Sequence, residues 1–506
     1  MISSITVFSL VFIVVTLYAL EHVRRRRMPP GPPADPLIGN LRVLPTTNEG
    51  VVFHEWAKKY GDVVYVHALG RSIVILDSVT AATDLLEKRS SIYSDRPNFT
   101  VFWLMGYFPD LPLLPYGKRF QKHRRMLHSD FTPEAILSWR DMQTKNARQL
   151  TRSILKSNED YDRTIGWFTT ALVIKLAYGV DIESEEDELV KVAENSQFLL
   201  NNSGAPGGTF VDLFPILKHL PSWFPGTYYA NFARKGSWVI KTMYDLPYSM
   251  AERLIADGDE THSVVGAQIR KLQKQEAVTQ EEIDDAKGAG VAIFSAGAET
   301  TWSSLVVFLW AMIEHPDIQK KVQAEIDTVL RDHDRLPEFS DWESLPYFEG
   351  VVQEVIRWYP VVPLGVPHRC MEDDVYRGMF IPKGTLMIAN ARGMSLDETV
   401  YAEPTKFNPS RFLPKPEGNG EPFFTSAFGF GRRICPGRHI ALSSLWIVMA
   451  TILATSDIGR ALDDEGNEIY FEPEFMYGIT SRPKTFPCRI TSRSKDAKQM
   501  LERSGS

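Results

Sequence analysis

The chain opens on an uncharged apolar run. Residues 2–20 carry no Asp, Glu, Lys or Arg, close to the roughly 20 residues that cross a bilayer core. Arg24, Arg25, Arg26 and Arg27 follow almost at once. A cleaved signal peptide puts its positive charge before the apolar run and small residues at its end. Here the charge comes after, and Tyr18 and Leu20 stand near the end. The pattern predicts a transmembrane anchor over 1–20 with the body on the cytoplasmic side. The four prolines of Met28-Pro29-Pro30-Gly31-Pro32-Pro33 lack N–H donors and fix φ, so 21–33 reads as a basic, proline-rich linker.

Beyond it, β-rich runs at 63–69 and 73–76 flank Gly70-Arg71-Ser72 and predict a hairpin. Apolar residues recur at helical spacing over 136–155, 185–200 and 244–256. The stretch 257–282 is polar and reads as a solvated connector or helix end. A long, largely apolar helix is predicted over 283–315, stopped by Pro316. Further helices follow at 318–330 and 347–359, the latter ended by Pro360. Short runs at 374–381 and 385–389 read as strands and turns. No repeat and no internal linker divides 34–506, which predicts one mostly α domain with smaller β-sheets.

Composition narrows the function. Of 506 residues, 56 are Lys or Arg and 63 Asp or Glu, a net charge of −7, which argues against nucleic acid as partner. The 44 % hydrophobic share excludes global disorder. Three cysteines exclude a disulfide scaffold and suggest a reducing compartment. There the sequons at Asn98 and Asn201 read as chance matches.

One cysteine stands in an unusual setting. Phe428-Gly429-Phe430-Gly431-Arg432-Arg433-Ile434-Cys435-Pro436-Gly437-Arg438 precedes a long apolar run over 439–454. Glycines permit tight turns, and Pro436 suits a first helical position. Cys435 is therefore expected at a helix N-terminus, where partial positive charge favours thiolate. No C-x-x-C or H-E-x-x-H completes a zinc site. A lone thiolate needs a partner that brings the other ligands, and haem does so.

The pattern at Phe428, Gly431, Arg433, Cys435 and Gly437 resembles the haem-binding loop of cytochrome P450 monooxygenases. The resemblance implies the P450 fold, haem b with Cys435 as axial thiolate, and Phe428 in the cofactor loop. Ala296-Gly297-Ala298-Glu299-Thr300-Thr301 resembles the oxygen-activation segment, with Glu299 and Thr300 as the proton-delivering pair. Glu354 and Arg357, with Arg411 in Phe407–Phe412, resemble the charge network behind the haem loop. Residues 116–125 resemble the Trp-x-x-x-Arg helix with Phe120 in place of tryptophan. Arg124, Arg433, His368 and Arg96 are thereby implied to hold the haem propionates.

By the same resemblance, 98–114, 197–226, 361–366 and 476–480 face the substrate. They are mainly apolar and show no evident charged anchor, so a lipophilic substrate is expected, such as a terpenoid, polyketide or polycyclic aromatic. Trp223-Phe224-Pro225 suits membrane contact. Five basic residues over 118–125, with Arg432 and Arg438, form a basic patch suited to an acidic flavoprotein. The chain has no nicotinamide or flavin fingerprint. Dioxygen as substrate and NADPH-cytochrome P450 reductase as electron donor are therefore implied, on the cytoplasmic face of the endoplasmic reticulum membrane. The segment around Arg357–Arg369 is most similar to fungal members of secondary metabolism. Two other readings stand beside this one: a reductase-independent haem-thiolate isomerase or dehydratase, and a haem-binding protein without turnover.

Overall fold

The computed structural model describes residues 27–156, 160–204, 206–331 and 333–504. The expected anchor and most of the basic stretch before the prolines lie outside them.

Most of the described chain is helical, with a four-stranded sheet and three two-stranded ones. The expected hairpin is present as Val63–Ala68 against Arg71–Leu76. Its turn is Leu69-Gly70, one residue earlier than expected, because both adopt positive φ (49° and 81°). Positive φ at both central residues gives the two-residue turn whose twist matches the strands. Arg71–Leu76 pairs parallel with Leu386–Ala389, which pairs antiparallel with His368–Arg369.

The helix Gln280–Glu314 runs through the middle of the domain. Thr279 and Glu282 close a capping box at its start, satisfying two orphan N–H groups. Pro316 is the first residue of the next helix, Pro316–Leu330. Ala286 to Ala298 of the long helix belong to one apolar core, and Leu305 to Ile313 to a second. Glu299 and Thr300 lie at the crossover between them. Gly166 of Tyr161–Tyr178 lies directly under the Trp302 ring, 2.9 Å from where its Cβ would stand.

Two sequence expectations need correction. The helix expected over 244–256 is Tyr228–Ala256, with Pro247 inside it. Part of the supposed solvated connector is the helix Val264–Leu272, capped by Ser263, with Val264, Val265 and Ile269 buried. Three apolar anchors on one face outweigh the polar average of that stretch.

Candidate active site

The cysteine loop is built by backbone geometry. Phe428 ends a 3₁₀ turn, Thr425–Phe428, and its carbonyl accepts the Cys435 N–H at 2.8 Å. Gly429 and Gly431 hold φ of 75° and 55° between them, the region that glycine enters without steric cost. A Cβ on Gly431 would stand 2.3 Å from the Leu86 carbonyl oxygen, so glycine also allows the loop to press on Thr83–Lys88. The following helix is Arg438–Thr455, with Gly437 as its N-cap. Pro436 is thus not the first helical residue; it precedes the cap, and Cys435 lies two residues before the cap. The Gly437 and Arg438 N–H groups still reach the thiol. Burial nevertheless raises the Cys435 pKa; those N–H groups and the Arg124 and Arg438 guanidiniums only oppose the rise. The helix end thus favours thiolate, as expected, but burial outweighs it. A metal cation on the sulfur would make the thiolate, because coordination removes the thiol proton.

The predicted propionate-binding residues converge. Arg433 donates to the carbonyls of Ser94 at 2.7 Å and Leu114 at 2.8 Å. Its guanidinium lies 3.8 Å from the Phe120 ring centroid, a cation–π contact, so phenylalanine at this position carries the arginine on its face. Arg96 donates to the carbonyls of Pro112, Val366 and Pro367 at 2.8, 2.6 and 2.8 Å. His368 uses Nδ1–H on the Tyr93 carbonyl at 2.8 Å. Arg124 donates to the carbonyl of Ile434, next to the cysteine, at 2.5 Å.

Burial lowers the pKa of all four, Arg433 to about 9, and Arg96 and Arg433 further depress His368. Asp95 is the carboxylate that opposes this at Arg96 and Arg433, and it is already bonded to Arg369 and the Tyr116 N–H. Buried cations held by carbonyls call for an anion. A cofactor with two carboxylates and an axial position for sulfur fits this set, as haem does.

On the long helix, Ala296 is exposed and Gly297 and Thr300 half-exposed while Ala298 and Glu299 are buried, so open space lies against that face. The Thr300 hydroxyl donates to the Ala296 carbonyl at 2.8 Å. Glu299 points elsewhere, as adjacent residues at 3.6 per turn must. Its Oε1 accepts from Thr480 at 2.9 Å and Ser303 at 3.4 Å. Burial raises its pKa, opposed first by the Arg482 charge and then by the Gln197 amide. The two members of the expected pair thus do not touch. Sequence reasoning placed Thr480 only on the substrate side and did not join it to the acid.

The charge network forms as expected and is wholly buried. Arg357 donates to both Glu354 oxygens at 2.7 and 2.8 Å, and Arg411 to Oε1 at 3.0 Å. Glu421 is a fourth member, accepting from Arg411 at 2.7 Å. It lies ten residues beyond Arg411, outside any motif spacing. Arg357 also donates to the Ser395 and Pro404 carbonyls at 2.7 and 2.9 Å, which ties Pro346–Trp358 to the segments ahead of the cysteine loop.

The basic helix, Lys118–His128, presents less charge than its composition suggests. Arg119 and Lys122 pair with buried Asp285 at 2.7 and 2.6 Å. Lys118, Arg125 and Arg432 remain exposed. The substrate-side aromatics divide as well: Phe99, Phe102 and Tyr107 are core, whereas Phe198, Phe210, Trp223 and Phe224 are exposed.

A helical domain that gathers buried Arg96, Arg433 and His368 with half-buried Arg124 near a loop cysteine suits a cofactor that is ligated by sulfur and carries carboxylates. The cytochrome P450 family profile matches residues 29–477, and the chain belongs to that family, which implies a haem-thiolate cofactor. Its relatives are fungal. It is 37 % identical to cytochrome P450 monooxygenase COX2 of Coprinopsis cinerea over 500 residues, covering 96 % of this chain and 94 % of the relative. It is 34 % identical to cytochrome P450 monooxygenase 136 of Postia placenta over 489 residues, covering 95 % and 92 %. It is 35 % identical to tryptamine 4-monooxygenase of Psilocybe cyanescens over 484 residues, covering 94 % and 95 %. The protein is a cytochrome P450 monooxygenase, acting on dioxygen and an organic substrate.

Proposed function

We propose that Cys435 is the axial ligand, with Phe428 packing the cofactor loop, and that Arg96, Arg124, Arg433 and His368 hold the haem b carboxylates. The observation that carries this is the pair of buried arginines, Arg96 and Arg433, beside a neutral His368 around the cysteine loop, with burial working against their charge. Haem, when bound, supplies the oxygen-activating iron chemistry. The chain supplies sulfur, charge balance and protons. Glu299, whose carboxyl pKa burial raises, is the proton reservoir. Because it does not touch Thr300, its proton reaches Thr300 Oγ through water. Thr480 and Ser303 orient the carboxyl.

Electrons come from NADPH through cytochrome P450 reductase, docked at Lys118, Arg125 and Arg432. Residues 1–20 anchor the protein in the endoplasmic reticulum membrane with the catalytic domain in the cytoplasm. Exposed Trp223 and Phe224 rest on the interface. The substrate is lipophilic and belongs to fungal secondary metabolism or xenobiotic oxidation, the terpenoid, polyketide and polycyclic aromatic classes among the candidates. One relative's name specifies an aromatic amine, tryptamine, and supports a planar aromatic skeleton. Reconstitution with reductase and NADPH, after screening lipophilic compounds for a haem spectral shift, tests this reading. Product must require both NADPH and reductase, and turnover without them contradicts it.

A further inference from the structure

The basic helix Lys118–His128 also walls a cleft of about 400 Å³. Lys122, Arg125 and Met126 line one side of it, and Gln268, Lys271 and Leu272 of the helix Val264–Leu272 line the other. Glu282 and Ala286, at the start of the long helix, close the third side. Residues 122, 125, 126 and 129 recur three and four apart, and 268, 271, 272 and 275 repeat that spacing on the facing wall. Such spacing turns each set to one side of its segment. Met126 and Leu272 pack on the core cluster that contains Ala286. The cleft therefore has an apolar floor beneath polar walls.

Three cations face this space against one carboxylate, in a chain whose net charge is −7. The carboxylate is engaged elsewhere. Glu282 Oε2 accepts the Thr279 N–H and hydroxyl at 3.0 and 2.8 Å, which caps the long helix. Lys122 is held by Asp285 at 2.6 Å. The Ser129 hydroxyl donates to Asp130 at 2.8 Å, and the Gln275 amide acts on Glu282. The Arg125 guanidinium, the Lys271 ammonium and the Gln268 carboxamide have no partner among the described residues.

The cleft thus offers two uncommitted positive charges and an amide donor, with no acid to answer them. Charge-assisted hydrogen bonds from arginine and lysine suit phosphate. The volume lies in the range of small-molecule sites, and the floor of Met126 and Leu272 calls for an organic body on the anion.

We propose that this cleft binds the dianion of an organic phosphate monoester, with its phosphate between Arg125 and Lys271 and its organic group over Met126 and Leu272. Such a monoester carries about −1.5 to −2 charge at pH 7. Arg125 also belongs to the docking face described above, so an occupied cleft withdraws one of its cations and weakens reductase association. That second effect rests on the docking reading; the site itself does not.

The test is isothermal titration of the holoenzyme at low salt and pH 8. The probes are phenyl phosphate and phenyl sulfate, its monoanionic isostere. Phenyl phosphate should bind one to one and at least tenfold more tightly than phenyl sulfate. Arg125→Ala and Lys271→Ala should each weaken it at least tenfold. Arg270→Ala removes a charge from the same helix outside the cleft and should leave Kd unchanged. The proposal is overturned if the native enzyme does not bind phenyl phosphate or binds both probes equally. It is also overturned if binding survives Arg125→Ala and Lys271→Ala. A titration with soluble dihexanoylphosphatidic acid separates two sources of the monoester: tighter binding than phenyl phosphate assigns a lipid headgroup, weaker binding a soluble metabolite. With reductase and NADPH, phenyl phosphate should raise the KM for reductase more than phenyl sulfate does at equal ionic strength. An unchanged KM despite binding contradicts docking at Arg125 and leaves the site standing.

Discussion

The Thr480 hydroxyl donates to Glu299 Oε1 at 2.9 Å, nearer than its other acceptor, Asn201 Oδ1 at 3.4 Å. The acid of the long helix is thereby held by a residue nearly two hundred positions away rather than by its neighbour Thr300. Thr480→Val removes the donor and leaves buried Oε1 with the longer Ser303 contact, a loss of about 1–3 kcal/mol. The carboxyl pKa should rise further and proton release should slow. We expect a normal carbon monoxide spectrum with a larger share of NADPH electrons lost as peroxide. Unchanged coupling would show that Thr480 does not position the acid.

Thr300 faces the open side of the helix and is bonded to Ala296. Thr300→Ala should keep cofactor and fold but waste electrons as peroxide, and Thr300→Ser should restore coupling. The ratio of product to NADPH consumed checks both. A fully coupled Thr300→Ala would remove the hydroxyl from the proton route.

Glu354 neutralises two buried arginines. Glu354→Ala leaves Arg357 without a carboxylate and Arg411 with Glu421 alone, and removing one partner of such a buried pair costs about 3–5 kcal/mol. Thermal unfolding should shift down, and the Soret-to-280 nm ratio should fall because the segments behind Cys435 lose their tie. Glu421→Ala should cost less, since Arg411 keeps Glu354.

Burial raises Asp110 and Glu349 each to about 7. A raised acid binds its proton more tightly folded than unfolded. Its stabilising contribution is full below the unfolded value near 4 and is lost as pH rises through about 7. Denaturant unfolding at pH 5 and pH 8 should show the loss, about 2–3 kcal/mol for each group, because its folded value lies about two units above pH 5. Asp110→Asn and Glu349→Gln should each flatten the profile. A native profile that rises from pH 5 to pH 8 would contradict the assignment.

The sequence disclosed the parts of the site that use short spacing. Cys435, Glu299, Thr300 and the Glu354–Arg357 pair lie in compact motifs, and the structure buries or aims each of them. It disclosed the long helix because its apolar run is long and Pro316 marks its end, whereas the capping box of Thr279 and Glu282 emerged only in the structure. It concealed Tyr161–Tyr178, whose buried residues lie on almost every side, leaving no polar face to set a period. It concealed Asp285, Glu421 and Thr480 because their partners are distant in the chain. The helix-end N–H groups favour the Cys435 thiolate as its local sequence suggests, whereas the burial that opposes them is tertiary and not legible in the sequence.

The central claim is that Cys435 ligates the cofactor. The carbon monoxide difference spectrum of the reduced protein tests it most directly. The native chain should show the Soret band of thiolate-ligated haem, and Cys435→Ala should lack it. A native spectrum without that band, or a Cys435→Ala spectrum that keeps it, would contradict the account.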